Sequence, residues 1–132
     1  MVIALDTNVF IYYFERHPEF GPAAKLTLAK LSKPGTKGVT SIVSLLELLS
    51  LPQGSKILDD LKSRYLRIPN LTTSDVSQEI ALEAARIRRT YGYRTSDAIQ
   101  LATALTHKAD LFITNDIRLK KFPELKIHLL SI

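Results

Sequence analysis

The chain has 132 residues, no Cys, no Trp and one Met; 45% of it is hydrophobic and its formal net charge is +5. That length favours a single domain over residues 1–132 with a core large enough to need no covalent staple, and that hydrophobic share excludes a disordered tail. The lack of Cys excludes disulfides, thiolate metal sites, Cys nucleophiles and iron–sulfur clusters, and the excess of Lys and Arg is a modest pointer to an anionic partner. No apolar run reaches the roughly 18 residues that a membrane span needs. The opening Met1-Val2-Ile3-Ala4-Leu5-Asp6 lacks a basic flank and meets an acid early, unlike a signal peptide.

In chain order, residues 2–5 (VIAL) predict a buried strand, Thr7 to Arg16 a helix ending before Pro18, and residues 22–32 a second helix with Pro22 at its first position. Ser32 to Gly38 reads as a turn. Residues 38–42 predict a strand, Ser44 to Leu51 a short helix stopped by Pro52, and residues 54–66 a helix with Ile57, Leu58, Leu61 and Tyr65 as its stripe. Residues 66–69 (LRIP) suggest a short strand. Asp75 and Gln78 suggest a capped start to a helix that carries Val76, Ile80, Ala84 and Ile87 on one face and stops at Gly92. Residues 97–107 predict a further helix, and 111–113 and 127–130 two short strands. Short apolar strands alternating with helices indicate an α/β protein with a largely parallel sheet, whose ligands bind beyond the carboxyl ends of the strands.

Four acids stand in the segments that this rule singles out. Asp6 follows the first strand, Asp116 follows LFI by three residues, Glu47 lies in the helix after the second strand, and Asp97 is in the first turn of the helix 97–107. Glu47 is the most informative, because four leucines surround it, and a carboxylate near a core needs positive compensation. Converging carboxylates repel one another. A hard divalent cation such as Mg²⁺ or Mn²⁺, which prefers oxygen ligands, relieves that repulsion and activates bound water. Each acid also has a plain structural reading: Asp6 as a helix cap, Asp97 as a first-turn acid, Asp116 as a turn residue, Glu47 as the polar edge of its helix.

Other features are weaker. His17, His107 and His128 lack ligand spacing, and His107 with Asp110 reads as a local surface ion pair. There is no Gly-rich phosphate loop and no nucleophile elbow. Arg86, Arg88, Arg89 and Arg94 form the densest basic run, more simply a solvated face than a phosphate strip. Arg94, just before Asp97, is the better phosphate contact, and Arg118, Lys120 and Lys121 form a second basic cluster. Tyr91 and Tyr93 could stack on bases or pack beneath a loop.

Four stretches together resemble PIN domains, among them the VapC-like ribonuclease toxins: Ile3-Ala4-Leu5-Asp6-Thr7-Asn8; Thr40-Ser41 with Leu46-Glu47-Leu48; Ser96-Asp97-Ala98-Ile99 with Ala102; and Leu111-Phe112-Ile113-Thr114-Asn115-Asp116 with Phe122. The resemblance covers nearly the whole chain in order. It implies a three-layer α/β/α sandwich around a central, mostly parallel sheet, and Mg²⁺- or Mn²⁺-dependent cleavage of single-stranded RNA in the cytoplasm. Asp6, Glu47, Asp97 and Asp116 then correspond to the family's acidic, metal-binding quartet. Thr114, Asn8 and Ser41 correspond to polar neighbours of the pocket, and Arg94, Arg118, Lys120 and Lys121 are placed to hold RNA. A homodimer inhibited by a small antitoxin is the implied assembly. An RNA-processing PIN nuclease and a non-catalytic RNA-binding module on the same fold are the alternatives. A signalling receiver domain fits poorly, since no second acid accompanies Asp6 and none lies between Glu47 and Asp59. An aspartyl-phosphate phosphatase fits poorly because position 8 is Asn8.

Overall fold

The computed structural model describes residues 1–130. Among these, five strands form one sheet in the order β3-β2-β1-β4-β5, with every neighbouring pair parallel. The strands are β1 Val2–Leu5, β2 Lys37–Ser41, β3 Leu71–Ser74, β4 Leu111–Thr114 and β5 Ile127–Leu129. The helices are α1 Thr7–Phe14, α2 Gly21–Lys30, α3 Ile42–Leu49, α4 Ser55–Leu66, α5 Gln78–Tyr91 and α6 Thr95–Thr106. None of the described helices is long and apolar enough to cross a membrane.

Alternation along the central strands sorts the core into two layers. Ile3 and Leu5 of β1 and Ile113 of β4 pack with Val9, Phe10, Leu28, Leu48, Leu61 and Tyr65 from α1 to α4. Ala4 and Phe112 point to the opposite side, onto Ile80, Ala84 and Ile87 of α5 and Ala98, Leu101 and Ala102 of α6. The sheet is thus covered on both faces, giving the expected three-layer α/β/α sandwich. β1 lies at its centre, flanked by β2 and β4: the chain runs outward from β1 through β2 to β3, then crosses back to β4 on the other side of β1 and continues outward to β5. The crevice at such a reversal, beyond the carboxyl ends of the strands, is where an open parallel sheet offers a ligand site.

Local chemistry explains the element boundaries, including those that differ from expectation. The strand expected at 66–69 is instead the end of α4 and a turn. Leu66 is the last helical residue, and the chain reverses at Asn70 with φ of 57°. The real strand is the polar Leu71-Thr72-Thr73-Ser74, which lies at the sheet edge, pairs only with β2 and is mostly half-buried, so it has no apolar pattern to reveal it. Ile42 belongs to α3, not to β2: the Ser41 hydroxyl accepts from Val43 N at 3.1 Å and starts the helix directly at the strand end. α5 is capped by Ser77, whose hydroxyl accepts from Ile80 N, rather than by Asp75. Gly92 ends α5 in the left-handed region at φ of 78°. α6 begins at Thr95, two residues before Asp97. His107 and Asp110 form no ion pair: His107 bonds Ser74 Oγ, and Asp110 accepts from Val2 N at 2.7 Å.

Candidate active site

Asp6 is placed by β1, which ends one residue earlier, and its backbone N–H donates to Ile113 O of β4 at 2.9 Å. The carboxylate is buried and doubly held. Oδ1 accepts from Thr7 N at 2.8 Å, which caps α1, and Oδ2 accepts from Thr114 Oγ1 at 2.7 Å. Burial pushes its pKa up to about 6, against the pull of those two donors, and the negative charges of Asp97 and Glu47 push it further the same way. Glu47 and Asp97 are therefore electrostatic neighbours of Asp6, although they come from α3 and α6.

Thr114 links the two strand ends. Its hydroxyl donates to Asp6 and accepts from Asp116 N at 3.0 Å, so one oxygen fixes an acid on β1 and the turn that carries another. Asn8 supports the same turn: its Oδ1 accepts from Asn115 N at 3.3 Å, and its Nδ2 reaches Thr114 Oγ1 at 3.5 Å. Asn115 Nδ2 in turn donates to the Tyr12 hydroxyl at 3.2 Å.

Glu47 is half-buried on α3, and its Oε1 accepts from Thr7 Oγ1 at 2.7 Å. Beneath it lies a buried polar network. Gln100 Nε2 donates to Ser44 Oγ at 2.8 Å and to Thr7 Oγ1 at 3.3 Å, and Gln100 Oε1 accepts from Ser41 N at 3.2 Å. Thr40 Oγ1 donates to Leu5 O at 2.8 Å and lies 2.7 Å from Ser44 Oγ. Because the single Thr40 proton goes to Leu5, Ser44 donates to Thr40, which leaves the Thr7 proton for Glu47. No buried side-chain polar atom among the described residues lacks a partner.

Asp97 is buried in the first turn of α6 and meets two guanidinium groups: Arg94 Nε at 3.2 Å and an Arg118 amine at 3.6 Å, both on Oδ2. Asp116 is half-buried. Its Oδ1 accepts from Arg118 N and Arg118 Nε, each at 3.0 Å, and Oδ2 takes a further short bond from Arg118. The Arg118 contact holds the Asp116 carboxyl below its ordinary value.

The expected acids thus occupy one end of the sheet. Ser41, expected beside them, spends its hydroxyl on capping α3, and the Ser44 hydroxyl joins the Thr7, Thr40 and Gln100 network beneath Glu47. Arg94 and Arg118 are engaged with acids, while Lys120 and Lys121 are exposed and form no ion pair among the described residues. Arg86 is bound by Glu83 and Glu124, and Tyr91 donates to Glu124, so neither is free for a phosphate or a base. Tyr93 is half-buried, and burial together with the charges of Asp116 and Asp97 raises its pKa. Two contributors that the sequence reading missed are Thr7 and Gln100. Gln100 follows Asp97 by three residues, so it shares a helix face with an acid, the one signal available from the sequence.

Among the described residues, no three acids or histidines stand around a common point as a closed metal cage. The donors present are nonetheless carboxylate oxygens, and the mutual repulsion around the buried Asp6 is of the kind that a hard divalent ion relieves. The donor set fits Mg²⁺ or Mn²⁺.

No curated protein sequence matches the chain. Solved structures do. The crystal structure of VapBC2 from Rickettsia felis bound to a promoter DNA fragment matches with a TM-score of 0.80 at 21% identity, over 99% of this chain and 100% of that one. A toxin–antitoxin complex from Klebsiella pneumoniae matches at 0.74 and 23%, over 98% and 99% of the two chains. VapC20 of Mycobacterium tuberculosis, described as a sarcin-ricin loop cleaving toxin, matches at 0.76 and 17%, over 96% and 98%. Identities this low speak to the fold. The PIN domain family model matches residues 3–125, a span that contains Asp6, Glu47, Asp97 and Asp116, and the chain belongs to the PIN domain family.

Proposed function

We propose that the chain is a metal-dependent endoribonuclease that cleaves single-stranded RNA, and that it is the toxin of a VapBC-type pair. The observation that carries this reading is that four acids from separate segments are linked through shared partners: Thr7 bonds Asp6 and Glu47, Thr114 ties Asp6 to the Asp116 turn, and Arg118 bridges Asp116 and Asp97. Asp6, Glu47 and Asp97 would hold Mg²⁺ or Mn²⁺, with Asp116 completing the site directly or through water. When bound, the ion supplies an activated water and neutralises charge on the scissile phosphate.

The residues of the chain do the positioning. Thr114 and Thr7 N orient the Asp6 carboxylate from two sides, and the Gln100–Ser44–Thr40 network fixes Thr7, which orients Glu47. Arg94 and Arg118, which lie on the acids, and the exposed Lys120 and Lys121 that follow them would offer positive charge to an RNA backbone. In the hydrolysis, the water oxygen would form a bond to phosphorus and lose a proton, the bond from phosphorus to the leaving ribose oxygen would break, and that oxygen would take up a proton.

An inhibitory antitoxin, a homodimeric assembly and a cytoplasmic setting belong to the same proposal. The similarity to a chain from a structure described as a toxin–antitoxin complex supports the antitoxin. A second reading, a non-catalytic RNA-binding module, is favoured by the Arg118 guanidinium lying on Asp97 and Asp116. A cleavage assay on single-stranded RNA separates them. The nuclease cuts with Mn²⁺, stops with EDTA and is disabled by Asp6→Asn. Equal cutting by wild type and Asp6→Asn rejects the nuclease reading, and no cutting with undiminished RNA binding selects the module.

A further inference from the structure

Arg118 sits on the short 3-10 turn Ile117–Leu119, directly after Asp116 and its neighbour. Its side chain doubles back. Nε lies 3.0 Å from Asp116 Oδ1 and 3.2 Å from Oδ2, and the terminal amine that bonds Asp116 Oδ2 is also 3.6 Å from Asp97 Oδ2. One guanidinium therefore bridges carboxylates from two segments, β4's following turn and α6. Arg94 Nε takes the remaining approach to the same Asp97 oxygen at 3.2 Å.

We propose that Arg118 is a resident counter-cation: it occupies Asp97 and Asp116 while the site holds no divalent ion, gives up those oxygens when the ion binds, and then contacts a backbone phosphate of the RNA. This rests on the reading of the four acids as a metal site.

Three observations carry the exchange. First, the acceptor oxygens overlap. Arg118 uses both oxygens of Asp116, so an ion held by that acid competes with it directly, and its amine also lies beside Asp97 Oδ2. Second, the arm is free to leave. The Arg118 side chain is 54% exposed, whereas Asp97 and Asp116 are 10% and 19% exposed, so the carboxylates stay while the guanidinium can swing into water. Third, the departing group has a use. A planar guanidinium matches phosphate as well as it matches carboxylate, and its turn keeps it beside the acids after release.

The consequence runs against intuition for a residue in the site. Arg118 should weaken the uptake of metal by the RNA-free protein, while helping to bind RNA once metal is present. By linkage, bound Mg²⁺ and RNA then favour each other more in the wild type than without Arg118.

The test is Mn²⁺ titration by calorimetry on the full chain, for wild type, Arg118→Gln and Arg118→Lys. Arg118→Gln should bind Mn²⁺ roughly tenfold more tightly, the size expected when a unit charge is withdrawn from beside a divalent ion near water. Arg118→Lys, which keeps the charge without the fork, should fall between. In the wild type, the Arg118 Nε–H NMR resonance, identified by its loss in Arg118→Gln, should shift on adding Mg²⁺. Equal or weaker Mn²⁺ binding by Arg118→Gln overturns the exchange and leaves the metal-site reading standing. No Mn²⁺ uptake by wild type or variants overturns both.

Discussion

Thr114 Oγ1 donates a hydrogen bond of 2.7 Å to Asp6 Oδ2, joining residues 108 positions apart at the adjacent ends of β1 and β4. The same hydroxyl accepts from Asp116 N, so a single side chain sets the orientation of one acid and the position of the turn bearing another.

Asp6 links stability to pH. Its folded pKa of about 6 lies above the ordinary 3.8. Well below pH 3.8 both the folded and unfolded chains hold the proton, and Asp6 is neutral to stability. Above pH 6 the metal-free folded chain carries a buried charge, at a cost of up to about 3 kcal/mol at 1.36 kcal/mol per pKa unit. Metal-free Asp6→Asn should therefore melt higher than wild type at pH 8, with most of the gain gone near pH 4. Its cleavage rate should nonetheless fall by roughly two orders of magnitude or more. Thermal melts at the two pH values, in EDTA, check the first statement, and an equal melting difference at both would refute it.

Divalent ion should stabilise the folded chain by mass action, since the acids are assembled only there. At Mn²⁺ one hundredfold above its dissociation constant the gain is about 2.7 kcal/mol. Melting curves of wild type should rise on adding Mn²⁺ and return with EDTA, and Asp97→Asn should blunt the response. An Asp97→Asn variant that responds as fully as wild type would place the ion elsewhere.

Gln100→Leu should separate positioning from packing. Gln100 is 2% exposed and partners Ser44, Thr7 and the Ser41 amide, so the substitution keeps the volume but strands polar groups. A loss of about 1–3 kcal/mol in denaturant unfolding is expected. Mn²⁺ affinity should weaken as well, through the loosened Thr7–Glu47 bond. Unfolding at an unchanged denaturant midpoint would show that the network carries little energy.

Gly38→Ala tests the packing beneath β2. A Cβ at this position would stand 2.7 Å from Leu31 Cδ1 and 2.9 Å from Cδ2, and Leu31 is fully buried. Overpacking of this kind costs about 1–3 kcal/mol. Equilibrium unfolding measures it, and cleavage per folded molecule should be unchanged, because Gly38 lies at the opposite end of the strand from the acids.

The order of strands and helices and the segments bearing the four acids were legible because they depend on local apolar runs and on the rule for strand ends. What was missed follows from a different kind of physics. The polar edge strand Leu71–Ser74 is held by backbone pairing to β2, which leaves no mark on side-chain pattern. Thr7 and Gln100 acquire meaning only when α1, α3 and α6 meet, and the choice between Ser41 and Ser44 depends on where α3 begins. The engagement of Arg94 and Arg118 with Asp97 was likewise invisible, since basic residues near an acid in sequence read equally as a phosphate contact.

The placement of β1 between β2 and β4 has a consequence for biosynthesis. A ribosome that releases its product before β4 is made delivers a polypeptide without Thr114, Asp116 or Arg118, in which Asp6 has lost its hydroxyl donor and β1 one of its two neighbours. Products released before that point therefore lack the assembled acidic centre, which forms only once the chain has been made through Arg118.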